Sequence, residues 1–312
     1  MEGLGLTTSN NDGWVARVTS LNQWKRGGER APHKPLLLLY AIGQLQRTGT
    51  SSIAFVDAKS DLTRLLVEFG PPRRPSPGYP FHHLTNDNGL WIVHTNSGIG
   101  SPGSKLGDLL DSGAVGSLTP DFAAALTDDP HLVSSVVRAI LDANFPETIH
   151  RDILDAVGID PDRIDQVGST KDMDFVRRRD PSFRPAVLLA YEYRCAICGY
   201  DGQVMREAVG IEAAHIRWWA ADGPDDVGNS VALCSLHHKL FDRGVIGITN
   251  EHLVAVSQHF VGRSTIAEVL VLAFVGKPLL EPQRGHPGPD PHHVAWHSRE
   301  VFRNPERMVP TA

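Results

Sequence analysis

Cysteine is scarce in this 312-residue chain: there are three, all between positions 195 and 234. An odd and clustered set does not form the paired framework that staples small secreted domains. Long apolar runs are also missing. Spanning a bilayer takes roughly 18 to 20 apolar residues, and the longest candidate, residues 36–42, is far shorter and follows a proline. Residues 1–11 hold no basic stretch followed by an apolar one, so no secretion signal is expected and the cytoplasm is the expected compartment. Internal repeats and low-complexity tracts are absent as well. Nor is there a net positive charge: the balance is −6, which by itself argues mildly against nucleic acid as a partner.

The distribution of charge tempers that argument. Residues 121–174 hold twelve Asp/Glu against four Lys/Arg, a local balance of −8, so the rest of the chain is near +2. Basic clusters lie in that remainder at Lys25-Arg26, Arg30 to Lys34, Arg73-Arg74 and Arg177-Arg178-Arg179. Each can be a solvated face or part of a surface for an anionic partner. A chain of this length favours two domains over one core. Residues 158–185, polar and proline-marked, are the place to divide them. The expectation is a first domain over 1–160, a linker over 161–184 and a second domain over 185–312.

Helical spacing of Trp14, Val18, Leu21 and Trp24 predicts a short amphipathic helix. Pro35 suits the first turn of a mostly apolar, buried helix that runs on towards Gln46 and stops before Gly49. Ser60 or Asp61 can cap a further helix over 62–69. Residues 71–80, with five prolines and two arginines, read as a loop that continues through Phe81-His82-His83-Leu84. Residues 89–93 read as a strand, and 119–157 as helical, with Thr119, Asp129 and Pro130 as start signals. Strands are expected near 209–215, 245–249 and 253–257, and helices over 185–194 and 235–242.

The chemistry concentrates between Cys195 and Gly244. Cys195-x-x-Cys198 and Cys234-x-x-His237 supply the two halves of a closed tetrahedral zinc site, which leaves no position for a reacting water. Such a zinc clamps the segment without acting on a substrate. His215, Asn229 and His238 lie in the same frame, and a structural zinc needs none of them. His237 and His238 are adjacent, so on a helix they point about 100° apart and can serve different sites.

The phrase Glu212-Ala-Ala-His215-Ile, then Gly228-Asn229, then Ala232-Leu-Cys234-x-x-His237-His238-Lys239-x-x-Asp242-x-Gly244 resembles the zinc-stapled branch of the HNH nucleases, whose catalytic unit is a ββα-metal fold. The resemblance implies that His215 is the general base, that Asn229 holds its strand and orients its imidazole, and that His238 binds a catalytic divalent ion such as Mg²⁺ or Mn²⁺. Many relatives carry an Asp or His just before the base, where this chain has Ala214. Glu212, on the same strand face as Ala214, could reach that ion instead, or pair with Arg217. Asp242 could bind metal or act locally.

Two N-terminal stretches remain, Arg30-Ala-Pro-His33-Lys34-Pro35-Leu-Leu-Leu-Leu-Tyr40 and Tyr79-Pro80-Phe81-His82-His83-Leu84. From the residues alone they can be a helix start and a surface turn. With Gly89-Leu-Trp91 downstream, an HNH unit after them and the terminal Trp296-His-x-x-x-Val301-Phe302, they are similar to the phosphorothioate-dependent restriction endonucleases. That resemblance implies an α+β chain: a mixed helical and strand DNA-binding domain followed by the zinc-stapled HNH domain. It implies double-stranded, phosphorothioate-modified DNA as the partner. Tyr79 and Pro80 would form a recess that favours sulfur over better-hydrated oxygen, while His33, Lys34, His82, His83, Arg73 and Arg74 engage the backbone. Two other readings stay open: an HNH enzyme for methylated or unmodified DNA, and a non-catalytic zinc module that only binds DNA. A homodimer would be a natural way to cut both strands, and no segment specifies one.

Overall fold

A computed structural model describes residues 13–23, 28–87, 89–166 and 180–308. Trp24, Lys25-Arg26 and Arg177-Arg178-Arg179 lie outside the described residues. The chain divides into two compact units, Met1–Val176 and Arg177–Ala312, each of which mixes helices with small antiparallel sheets. No helix among the described residues is long and apolar enough to cross a membrane.

The first unit opens with α1 (residues 13–19), whose Trp14 stacks on Phe122 at 4.8 Å between ring centroids. Next comes α2 (His33–Thr48), buried along residues 34–39 and 41–43 and closed by Gly49 in the left-handed conformation. β1 (Ile53–Ala54) leads directly into α3 (Phe55–Phe69). The helix therefore starts seven residues before the expected 62–69. Phe55, Ala58, Leu62, Leu65, Leu66 and Phe69 bury one continuous stripe. That stripe, with the Phe55 N–H bonded to the Ala114 carbonyl, outweighs the capping chemistry at Ser60 and Asp61.

The expected loop at 78–84 is likewise helical, α4 (Gly78–His83). Its anchor is Phe81, fully buried edge-on against Phe55 (4.9 Å) and Trp91 (5.4 Å), with its carbonyl accepting from Trp91 Nε1. β2 (Trp91–Thr95), β3 (Gly98–Ile99), α5 (Leu106–Asp111) and β4 (Val115–Leu118) follow, and the sheet order is β1-β4-β2-β3, antiparallel throughout. The helical stretch resolves into α6 (Pro120–Asp128), α7 (Pro130–Asn144) and α8 (His150–Val157); the Asp129 side chain caps α7 through the His131 N–H.

A last helix, α9 (Pro161–Gln166), begins where a linker was expected. Buried Ile164 holds it, its carbonyl accepting two hydrogen bonds from Arg138, an anchor that the polar composition around it conceals.

The second unit begins with α10 (Phe183–Ala190) and a short hairpin, β5 (Gln203–Val204) with β6 (Glu207–Ala208). β7 (Ile211–His215) then pairs antiparallel with β8 (Ser230–Cys234), His215 opposite Ser230 and Ile211 opposite Cys234. α11 (Ser235–Asp242) follows without a break and packs on this hairpin. β9 (Ile246–Ile248) pairs with β10 (Val254–Val256), then come α12 (Thr265–Leu270) and α13 (Pro291–Glu300). The terminal Trp-His-x-x-x-Val-Phe motif is core: the His297 ring lies flat on Phe241 at 3.8 Å, and Trp296, Val301 and Phe302 are buried.

One packing contact in the first unit is close enough to test. A Cβ added at Gly43 of α2 would lie 2.1 Å from the carbonyl oxygen of Val157, the last residue of α8. In a free helix Gly→Ala gains about 1 kcal/mol, whereas forcing an extra carbon into a packed contact costs about 1–3 kcal/mol. Because the obstructing atom is backbone, Gly43→Ala is expected to destabilise the chain in urea or thermal unfolding; a gain in stability would show that the helices do not approach so closely.

Candidate active site and metal centre

Cys195 and Cys198 precede the β7–β8 hairpin, Cys234 ends β8, and His237 lies in the first turn of α11. Their ligand atoms all fall within 4.8 Å of one another, so the four can hold a metal ion. Nδ1 of His237 faces the thiols, 3.4 Å from Cys195 Sγ and 3.2 Å from Cys234 Sγ, while Nε2 lies 2.8 Å from the Leu270 carbonyl. That carbonyl makes Nε2 the protonated nitrogen and turns Nδ1 towards the cluster, the arrangement metal-binding histidines usually have. Burial opposes charge on His237, yet its hydrogen bonds to Cys195 and Cys234 win and push its pKa up to about 10. The Cys195 thiol is pushed well below its ordinary range by hydrogen bonds from Cys198 and Cys234. The Cys198 thiol is pushed up in turn by Cys195 and then Cys234, so the sulfurs share one negative charge, which a cation could hold in common.

His238, the next residue, faces away from the cysteines. Its Nδ1 lies 2.6 Å from Glu212 Oε2 on β7, and its Nε2 3.2 Å from Asp242 Oδ2 one turn further along α11. Burial works against protonation here as well, and the Asp242 and Glu212 carboxylates outweigh it, pushing the pKa up to about 10. Hydrogen bonds from His238 and then Ser235 hold Glu212 below the usual carboxylate range despite its partial burial. Glu212 thus turns to α11 and not to Arg217, whose Nε donates to the Ala221 carbonyl. An imidazole and a carboxylate that share one proton suit a divalent cation in its place, with Asp242 on the far nitrogen.

His215 ends β7. Its ring stacks on Phe183 at 4.3 Å and 19°, and its Nε2 lies 2.8 Å from Asp225 Oδ1. Asn229 is fully buried, but its side chain does not orient the imidazole as expected. Its Oδ1 accepts from the Arg217 N–H, and its Nδ2 donates to the Arg217 and Pro224 carbonyls. The amide group matches backbone donors and acceptors two residues beyond His215, so it cross-links the loop. Gly223 permits this, since a Cβ there would lie 1.9 Å from the Arg217 carbonyl oxygen. Asp225 is a residue that sequence reasoning missed. The signal was the Asp225-Asp226 pair ahead of Gly-Asn; Asp226 accepts the Asn229 N–H.

In the first unit the rings come together as a chain. His33, the first residue of α2, lies 6.1 Å from Tyr79, Tyr79 lies 4.3 Å from His83, and His83 lies 4.7 Å from His82, between centroids. Tyr79 is 39% exposed and Pro80 beside it is buried. His82 Nδ1 meets Ser101 Oγ at 2.8 Å. Burial first, then the Arg73 and Arg30 charges, lower the pKa of His33 to about 4, so its ring is neutral at neutral pH. Burial and His82 lower His83 in the same direction.

Lys34 does not join this group. It is buried, with Nζ 2.5 Å from Asp87 Oδ2 and 2.7 Å from the Asn22 carbonyl, because the residue after His33 on α2 turns into the core and needs a partner there. Arg73 reaches Glu29 at 3.5 Å, and Arg74 is exposed.

Comparison with known proteins matches a stretch in each of the two units. Residues 11–162 match the ScoMcrA-like DNA sulfur-binding domain, and residues 195–249 match the HNH endonuclease domain. No curated protein matches the chain. Among solved structures, the sulfur-binding domain of SprMcrA complexed with phosphorothioated DNA is 25% identical, covers 49% of this chain and 96% of its own, and has a TM-score of 0.43. The corresponding ScoMcrA complex is 23% identical, covers 46% and 94%, and has a TM-score of 0.40. The modification-dependent TagI restriction endonuclease is 25% identical, covers 38% and 37%, and has a TM-score of 0.28. A match to the ScoMcrA-like DNA sulfur-binding domain is thus followed, in the same chain, by a match to the HNH endonuclease domain.

Proposed function

We propose that this protein recognises phosphorothioate-modified double-stranded DNA with its first unit and hydrolyses phosphodiester bonds near the modification with its second. The observation that carries this reading is the β7–β8–α11 unit, with His215 at a strand end and His238 on the helix against Glu212, in a chain that also holds a sulfur-binding domain.

In this reading His215 accepts the proton of the attacking water, and Asn229 cross-links the loop that follows it. His238 and Glu212 hold a divalent ion, Mg²⁺ or Mn²⁺, and Asp242 orients His238 from its other nitrogen. When bound, that ion supplies positive charge for the scissile phosphate and the leaving oxygen. Cys195, Cys198, Cys234 and His237 hold a structural zinc. The rings of His33, Tyr79 and His83, with Pro80 beside them, form the recess for the sulfur. A neutral His33 favours this, because a weakly hydrated sulfur gains from apolar, uncharged surroundings. Arg73 and Arg74 lie on the exposed side for contact with phosphates.

Metal analysis of the purified chain should find one tightly held zinc, and Cys234→Ser should lose it and unfold at lower temperature. An equal zinc content in the variant would remove the cluster from this role. His215→Ala should lower cleavage of modified plasmid in Mn²⁺ by at least about a hundredfold while leaving DNA binding intact. Undiminished cutting would rule out His215 as the base. One duplex, with and without sulfur at a single linkage, should bind with clearly different affinity, and Tyr79→Ala should narrow the gap. Equal affinity of the two duplexes would exclude sulfur recognition.

A further inference from the structure

Asp225 belongs to the loop between β7 and β8, and both of its carboxylate oxygens are committed. Oδ1 lies 2.8 Å from His215 Nε2, and Oδ2 accepts the backbone N–H of Asp180 at 2.8 Å. Asp180 is itself held, since its Oδ1 accepts both the N–H and the hydroxyl of Ser182 at 2.8 Å. Phe183 follows directly and supplies the ring stacked on His215. The segment 180–183 therefore grips the imidazole in two ways, through the face of Phe183 and through Asp225. With its side chain 9% exposed, Asp225 makes this contact largely out of water, where a carboxylate–imidazole interaction is strong.

The other charged groups nearby are occupied elsewhere. Arg184 of α10 donates to the Ile211 carbonyl, Arg217 to the Ala221 carbonyl, and Asp226 accepts the Asn229 N–H. Asp225 meets the ring directly.

We propose that Asp225 is a positioning residue for the nuclease reaction: it accepts the Nε2–H of His215, fixes that tautomer and stabilises the imidazolium formed during the reaction. The proposal rests on the reading of His215 as general base. The water O–H bond breaks, and its proton passes to Nδ1 of His215. The water oxygen bonds to phosphorus, the bond from phosphorus to the leaving oxygen breaks, and that oxygen takes a proton from solvent. Asp225 takes no part in the proton transfer itself and keeps its contact with the ring. A carboxylate that only stapled the loop would leave the tautomer and the pH dependence of the reaction unaffected by its loss.

The test uses the full chain with Mn²⁺, phosphorothioate-modified plasmid and the variant Asp225→Asn. This change keeps the shape of the side chain and removes its charge. Expected are a fall in kcat on the order of 10²- to 10⁴-fold, as when the carboxylate behind a catalytic imidazole is neutralised, with KM little changed. The acid limb of the pH–rate profile should also move to lower pH, because the imidazolium has lost its counter-charge. In parallel, ¹⁵N NMR of the wild-type ring, assigned by comparison with His215→Ala, should show the Nε2–H tautomer at alkaline pH. That measurement does not require the variant to fold.

An Nδ1–H tautomer in the wild type would overturn the proposal, and so would a folded Asp225→Asn with unchanged kcat and pH profile. Failure of the wild-type protein to cut any DNA would instead count against the nuclease reading, and the NMR result would still decide whether Asp225 sets the tautomer.

Discussion

Two consecutive imidazoles on one short helix carry the organisation of the second unit. Successive residues on α11 are turned about 100° apart, so His237 meets three cysteines while His238 meets Glu212 and Asp242. A two-stranded hairpin is marginal by itself. The Cys₃His cluster joins the segment before the hairpin, the end of β8 and the first turn of α11 at one point. Once α11 is pinned there, the direction of His238 follows, and so does its meeting with β7. The Leu270 carbonyl on His237 Nε2 serves the same end, because it sets which nitrogen faces the thiols.

Around His215 the polar contacts come mostly from its own loop, while the Phe183 ring and the Asp180 N–H reach it and Asp225 from further off. Asn229 spends its amide on the backbone beyond His215, Asp226 on the amide of Asn229, and Asp225 on the imidazole. The loop is anchored by buried Ile216 and Trp218, and satisfied hydrogen bonds set the rest of its shape. In the first unit the balance differs. α2 is a core helix buried on most faces, and its first turn alone reaches the ring cluster. Lys34 shows the cost of that placement, since a buried ammonium is tolerated only because Asp87 and the Asn22 carbonyl meet it.

Several features were legible because they are local. Pro35 and Gly49 bracket α2, Asp129-Pro130 starts α7, and α11 covers 235–242 as its spacing implies. The spacings of the Cys₃His cluster were equally plain, since two such short pairs have few uses besides holding a metal. α3 and α4 were less legible. Phe55 and Phe81 owe their helical surroundings to each other and to Trp91, residues distant in sequence, while capping and proline signals pointed elsewhere.

The sequence by itself determined the chemical inventory: a Cys₃His set, the His215, Asn229 and His238 frame, a buried apolar helix behind His33, and a ring-bearing segment at Tyr79. Each depends on residue type and short spacing. Only the tertiary structure decided which of these groups meet. It brought Glu212 to His238, gave His215 to Asp225 in place of Asn229, turned Lys34 inward to Asp87, and linked His33 to Tyr79. Those pairings join residues 10 to 53 positions apart, and local propensity carries no information about contacts that exist only once strands and helices have packed.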